Sequence, residues 1–346
     1  MVFLIVALIL CCLWKVKISK GFNFEYLSQD VSNSIKGIFA IIILFSHIRG
    51  YISLSPNNVF DTSFNIIISC IGQLMVAIFL FYSGFGINES FKKKKNYFDT
   101  FFKRRILKTW AHFVLAVLLF FIASFFVPES YSLKQYVFCW IGWESIGNSN
   151  WFVFDILAIY LLVYFSAFIL KLIGKENNNS LLCILTTIFA IFLWGMLFYF
   201  KRSTWWIDTI MCFPLGMWYS YFKSNIEKFI NSRKFSLWIV CIITIFIIWY
   251  IHFGVDVLGV CSCIFCIVLI AILTKISINN SILRWLGKNS FSIYILQRLP
   301  MMFLFYYGGN LKEEPLIFSL ITIFIVLCIA DIFTRMTDII DKKIFN

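Results

Sequence analysis

The chain has 346 residues, 61% of them hydrophobic and 14% charged, where soluble domains hold nearer ~45–50% and ~25%. A globule of this length could not hide so much apolar surface from water, which excludes a secreted disulfide scaffold and an ordinary cytosolic enzyme and leaves an integral membrane protein. The net charge of +13 does not point to nucleic acid either, because the cations fall in short clusters between apolar runs, as in loops anchored at a membrane surface.

A spanning helix needs roughly 20 apolar residues. The first run, 2–16, is short and is followed by Lys15, Lys17 and Lys20. It lacks the cationic start and small-residue cleavage site of a signal peptide, so residues 1–20 read as an uncleaved anchor with its N-terminus outside. Further runs follow at 36–54, 64–88, 106–127, 151–172, 181–200, 205–222, 235–253, 256–274, 289–307 and 315–334. Together they predict an all-α, polytopic transmembrane helix bundle of about eleven spans, ending in a short cytoplasmic tail, 337–346.

Lys and Arg orient the bundle. The run Lys92–Lys95 with Lys103, Arg104, Arg105 and Lys108 belongs in the cytoplasm. Alternation from there puts Lys36, Lys171, Lys223, Arg233, Lys234, Arg284 and Arg335 on the same side. Arg49, Lys134, Lys201, Arg202, Arg298 and Lys312 are left outside. The longest outer segment, 128–150, is rich in aromatic and turn residues from Trp140 to Asn150 and reads as a folded cap. Cysteines lie almost all within apolar runs, Cys139 excepted, and act there as small hydrophobes. Cys261, Cys263 and Cys266 have only Asp256 nearby and no histidine, so no metal centre is expected.

Ionisable groups within a span usually face a cavity or a partner. Those present are His47, Arg49, Asp155, Asp208 and Arg298, with Asp331 near the inner end of its run. Buried ion pairs would account for such a set. However, Arg49, Asp155, Asp208 and Arg298 all fall in the outer half of their runs, which favours one polar vestibule opening outward. His112 and His252 sit at run ends and read as interfacial. The second run is the most informative. Eleven positions separate Lys36 from His47, which is three helical turns plus about 20°, so both project from one face. The rise between them is ~16 Å, about half the hydrocarbon thickness. An imidazole at that depth is expected to be neutral and so able to act as a base. Spacing alone leaves a satisfied core histidine equally open.

The pairing of Lys36 with His47 resembles the basic-residue, ten-intervening, histidine motif of the membrane acyltransferase-3 family of O-acyltransferases. Phe79 to Ile87, with Ser83, Gly84 and Phe85 at its centre, resembles the aromatic-rich segment that closes that family's next helix. Phe101 to Lys108 is similar to its cytoplasmic Arg-x-x-Arg segment, Asn150, Trp151 and Phe152 to the start of a later span, and Leu286 to Tyr294 to its Leu-Gly-x-x-Ser-Tyr-Ser-x-Tyr segment. The order is the family's. The departures are Lys36 and Lys108 where arginine is common, and Gln297 where histidine is often found.

The resemblance implies a transmembrane acyltransferase domain over 30–336, with a family-like core of ten spans to which the first helix is an addition. It also implies acyl transfer, commonly of acetyl, from acetyl-coenzyme A to a hydroxyl of an extracytoplasmic glycan in the cell membrane. Acyl-CoA, the glycan acceptor and membrane lipid are then the partners, with no permanently bound cofactor and no nucleic acid. On this reading His47 is the general base, or carries the acyl group covalently, above Lys36. Lys103, Arg104, Arg105 and Lys108 meet the anionic donor, Ser83 positions the thioester or permits close packing, and Arg49, Asp155 and Arg298 hold the acceptor or polarise the oxyanion. The competing class is a multi-span transporter or flippase of a lipid-linked saccharide. No repeat-related halves support it, and Pro214 and Pro300 are the only prolines in mid-run.

Overall fold

A computed structural model describes residues 1–72, 74–232, 235–253 and 259–345. The expectations for Arg233, Lys234, Asp256 and the His252 side chain fall outside the described residues. Six helical stretches among the described residues are long and apolar enough to cross a membrane: Gln29–Ile48, Val59–Lys93 (described as Val59–Ile71 and Leu74–Lys93), Phe102–Ala123, Trp151–Leu172, Asn179–Tyr199 and Pro315–Ile344. Shorter apolar helices occupy Val2–Leu13 and Val260–Leu273. The only strands among the described residues are Lys17–Ile18 and Ile276–Ser277, which pair antiparallel. With Asn280 Nδ2 donating to the carbonyls of Cys11 and Trp14, that ladder ties the first helix to the bundle.

Two predicted runs are broken, and the sequence supplies the reason. The run 289–307 divides into Ser290–Leu296 and Arg298–Tyr307, with Gln297 between them. Pro300 has no N–H to give the carbonyl of Leu296, so the helical ladder cannot continue through that turn. The run 205–222 divides likewise into Thr204–Ile207 and Cys212–Tyr221. There Pro214 falls in the first turn of the second helix, where a missing donor costs nothing.

The helix carrying Lys36 and His47 begins seven residues before the apolar run does. Ser28 caps it, its hydroxyl accepting from the Val31 amide at 3.4 Å, and Asp30 lies in the first turn, where a carboxylate favours the helix dipole. It ends at Ile48, and Gly50 turns back to the His47 carbonyl at 3.0 Å. Lys36 is therefore in the second turn and His47 in the last, rather than mid-helix. Two close crossings fix this helix and its neighbour. A Cβ on Gly287 would overlap the carbonyl oxygen of Asn33, and one on Gly84 would overlap that of Phe213. The helix Ser281–Lys288 thus lies backbone to backbone on the His47 helix, and Cys212–Tyr221 lies the same way on Leu74–Lys93, as small residues permit in membranes. Gly287→Ala is expected to cost about 1–3 kcal/mol through overpacking, read as a lowered melting temperature in detergent; Gly86→Ala, with open space at its Cβ, should melt as wild type does.

Candidate functional site

Two cavities meet at the end of the His47 helix. The wider, about 500 Å³, is lined by Ser46, His47 and Arg49 on one side, by the segment from Trp143 to Trp151 on another, and by Arg202, Trp205, Trp206 and Arg298. The narrower, about 150 Å³, runs between Ala40, Phe79, Ser83, Thr109, Phe152, Tyr160 and Ser290 and is mostly apolar. Ile43, Val76 and Tyr294 belong to both walls, so the slot and the vestibule abut beside the imidazole.

His47 reaches the vestibule because it occupies the last helical turn. Its Nδ1 has no hydrogen-bond partner among the described residues. Tyr294 lies against it with ring centroids 6.4 Å apart, and Gln297 and Arg298 flank it. Tyr294 comes from the helix before the break, Gln297 from the break itself and Arg298 from the first position after it. The Gln297 amide nitrogen donates to the Tyr294 carbonyl at 3.0 Å, one carbonyl of the interrupted ladder.

At the other end of the slot the hydroxyls of Ser83 and Tyr160 are 2.7 Å apart. Arg105 lies among Tyr160, Tyr97 and Lys36, so two cations gather behind Tyr160 at that end of the slot, neither of them in its lining. Arg105 is carried on Phe102–Leu107, wound as a π-helix, a distortion often found at functional sites. The other expected donor-side cations are placed differently. Lys108 pairs with Asp341 at 2.6 Å, and His112 shares that carboxylate at 2.9 Å, while Lys103 and Arg104, exposed like Arg105, are not in the slot's lining.

On the vestibule side the structure brings Arg49 and Arg298 together with His47. Arg49 donates to Asn65 Oδ1 at 3.1 Å, and the Nε of Arg298 is buried with no partner among the described residues. Asp155 is not part of that lining. It is fully buried beside Tyr294, and neither of its oxygens has a hydrogen-bond partner among the described residues. Asp208 is buried near the break before Cys212 and is likewise not in the lining. Asp331 accepts from Trp285 Nε1 at 3.1 Å and Arg335 Nε at 2.7 Å, which is a structural role.

The segment expected to form a cap does fold over the vestibule. Ser132 and Gln135 form a capping box for Leu133–Phe138, and Gly142 at φ 78° turns the chain back so that its carbonyl accepts from Asn150 Nδ2 at 2.8 Å. Trp143 then stacks on Arg202, whose guanidinium lies 3.7 Å from the ring centroid and 4.8 Å from that of Trp206. Glu144 holds the same guanidinium at 3.2 Å. Sequence reasoning placed Arg202 outside but gave it no role. The signal was there in the pair Trp205 and Trp206 just beyond it, aromatic rings at the foot of a cationic loop.

Comparison with known proteins gives one match: a family defined by an acyltransferase domain matches residues 32–335. That stretch holds the His47 helix from Ser32 onward and every residue lining the two cavities. No curated protein and no solved structure matches the chain.

Proposed function

This chain belongs to that acyltransferase family, and on that premise we propose that it is a membrane O-acyltransferase moving an acyl group, acetyl in the first instance, from cytoplasmic acyl-CoA to a hydroxyl of an extracytoplasmic glycan. The observation that carries this is the meeting of a narrow apolar slot with a wide polar vestibule beside His47, with Lys36 and Arg105 gathered near the slot's Tyr160 end. A thin acyl-pantetheine arm suits the slot, and the phosphates of its nucleotide suit Lys36 and Arg105. A sugar suits the vestibule. The arrangement across the cell membrane is the one the cations favour: about eleven spans, the mouth in the cytoplasm, the vestibule and N-terminus outside.

In the proposed reaction the acceptor hydroxyl gives its proton to His47 as its oxygen attacks the thioester carbonyl. The new C–O bond forms, the C–S bond breaks, and the departing thiolate of coenzyme A takes the proton back from the imidazolium. Neutral imidazole is thus restored, and the products are an ester and free thiol.

The test supplies membranes bearing the protein with labelled acetyl-coenzyme A and counts acetyl in the glycan fraction. Protein-dependent labelling is expected. A flippase would move its saccharide and leave acetyl-coenzyme A intact, which would overturn the reading. Within the same assay Ser83→Leu, which puts a larger side chain into the slot, is expected to cut labelling at least about tenfold by excluding the thioester from its attack position. Ser83→Ala should keep most of it.

A further inference from the structure

The vestibule also constrains the acceptor, an inference that rests on the acyl-transfer reading above. Arg49, Arg202 and Arg298 all line it, while among the described residues Glu144 is the one acid in its wall. That carboxylate is already engaged, with Arg202 at 3.2 Å and Lys134 at 3.2 Å. The buried lining atoms without a partner point the same way. They include the Nε of Arg298, the side-chain nitrogen of Asn148 and the hydroxyl of Ser149. The first two can only donate, and the third can do so. One oxyanion would use a single such group, yet guanidinium groups come from three separate segments of the chain. A hollow walled by donors and cations, partly screened from water by the cap, strongly prefers negative charge.

Flat apolar faces complete the lining. Trp143 and Trp206 are taken up by Arg202, whereas Trp151 and Trp205 line the same hollow with no cation stacked on them among the described residues. Indole faces of that kind accept the C–H face of a sugar ring, amphipathic surfaces that cover the ring while its hydroxyls stay wet. We propose that the acceptor is an anionic saccharide, carrying a carboxylate or a phosphodiester close to the hydroxyl that is acylated. The anion sits on Arg298 and Arg49, and the neighbouring hydroxyl faces His47.

Acetyl is uncharged as an ester, so the charge of a labelled product is that of its acceptor. Membranes of cells making the protein are given labelled acetyl-coenzyme A, the labelled glycan is cut to small fragments, and these are passed over an anion exchanger at neutral pH. Retention of the label is expected. Loss of retention after chemical reduction of carboxylates identifies a uronic-type acceptor, and loss after phosphodiester cleavage followed by phosphatase removal of the resulting monoester identifies a polyol-phosphate one. Label that runs through unretained overturns the proposal while leaving the acyltransferase reading intact. Absence of any His47-dependent label overturns both. As a second readout, Arg298→Gln should raise the acceptor KM about tenfold to hundredfold, the loss of a charge-assisted contact, with the KM for acyl-CoA unchanged and Arg298→Lys partly restoring the acceptor KM. An equal change in both KM values, or in neither, would also overturn it.

Discussion

Membranes bearing His47→Ala are expected to transfer acetyl at least about 10²–10⁴-fold more slowly than wild type at matched expression, the range a positioned general base contributes. The ring lies on the vestibule wall with an Nδ1 that has no partner among the described residues, so its removal takes away the proton acceptor without closing either cavity. Donor binding should persist, because Lys36 is ~16 Å along the helix from the ring and Arg105 lies beside it on another segment. The informative signature is therefore a fall in turnover at an unchanged KM for acyl-CoA. His47→Gln, closer in size, should be as slow as His47→Ala if proton transfer is what is lost. A variant of either kind that transfers at the wild-type rate, and melts in detergent as wild type does, would end the assignment. Mass analysis of protein quenched with donor alone separates the two chemical routes: an added acetyl at His47 marks a covalent relay, and its absence marks direct attack.

The parts of this architecture that were legible in the sequence are those governed by local pattern. Apolar runs gave helices because a backbone in lipid must satisfy its own hydrogen bonds, and the break at Gln297 was latent in Pro300. Lys36 and His47 fall on one face because helical periodicity puts them there. What pattern could not give is which helices touch. The slot needs Ala40, Ser83, Thr109, Tyr160 and Ser290, contributed by separate helices whose polar positions look like ordinary small or interfacial residues taken one at a time. Helix ends were misjudged for a related reason. The Lys36 helix starts at Gln29 through a cap on Ser28, outside the apolar stretch, and ends at Ile48 rather than at 54; the early end puts His47 in the final turn and so on the vestibule wall. Asp155, an outer-half carboxylate by position, turns out to be sealed behind Tyr294; it lies about 60° around the helix from Phe152 and about 100° from Ile156, which do line the slot, and that turn decides it.

Neutralising the mouth should weaken the donor as selectively as removing His47 slows the chemistry. Arg105→Gln and Lys36→Met are each expected to raise the KM for acetyl-coenzyme A about tenfold to hundredfold, since each removes a charge-assisted contact with phosphate. The two side chains are near enough to repel each other. That repulsion stands uncompensated until an anion arrives, so the double variant should fall short of the sum of the two free-energy losses. A donor lacking the nucleotide, such as acetyl-pantetheine, supplies the decisive comparison. It carries no phosphate, so it should react poorly with wild type and with no further loss in either variant. Lys36→Arg should keep donor binding, the guanidinium supplying a fork in place of a point charge. Were the two cations merely holding the helices in place, acetyl-pantetheine and acetyl-coenzyme A would lose activity in parallel, and the cytoplasmic mouth would have to be sought elsewhere, with Lys103 and Arg104, exposed on the same π-helical segment, as the next cations to neutralise.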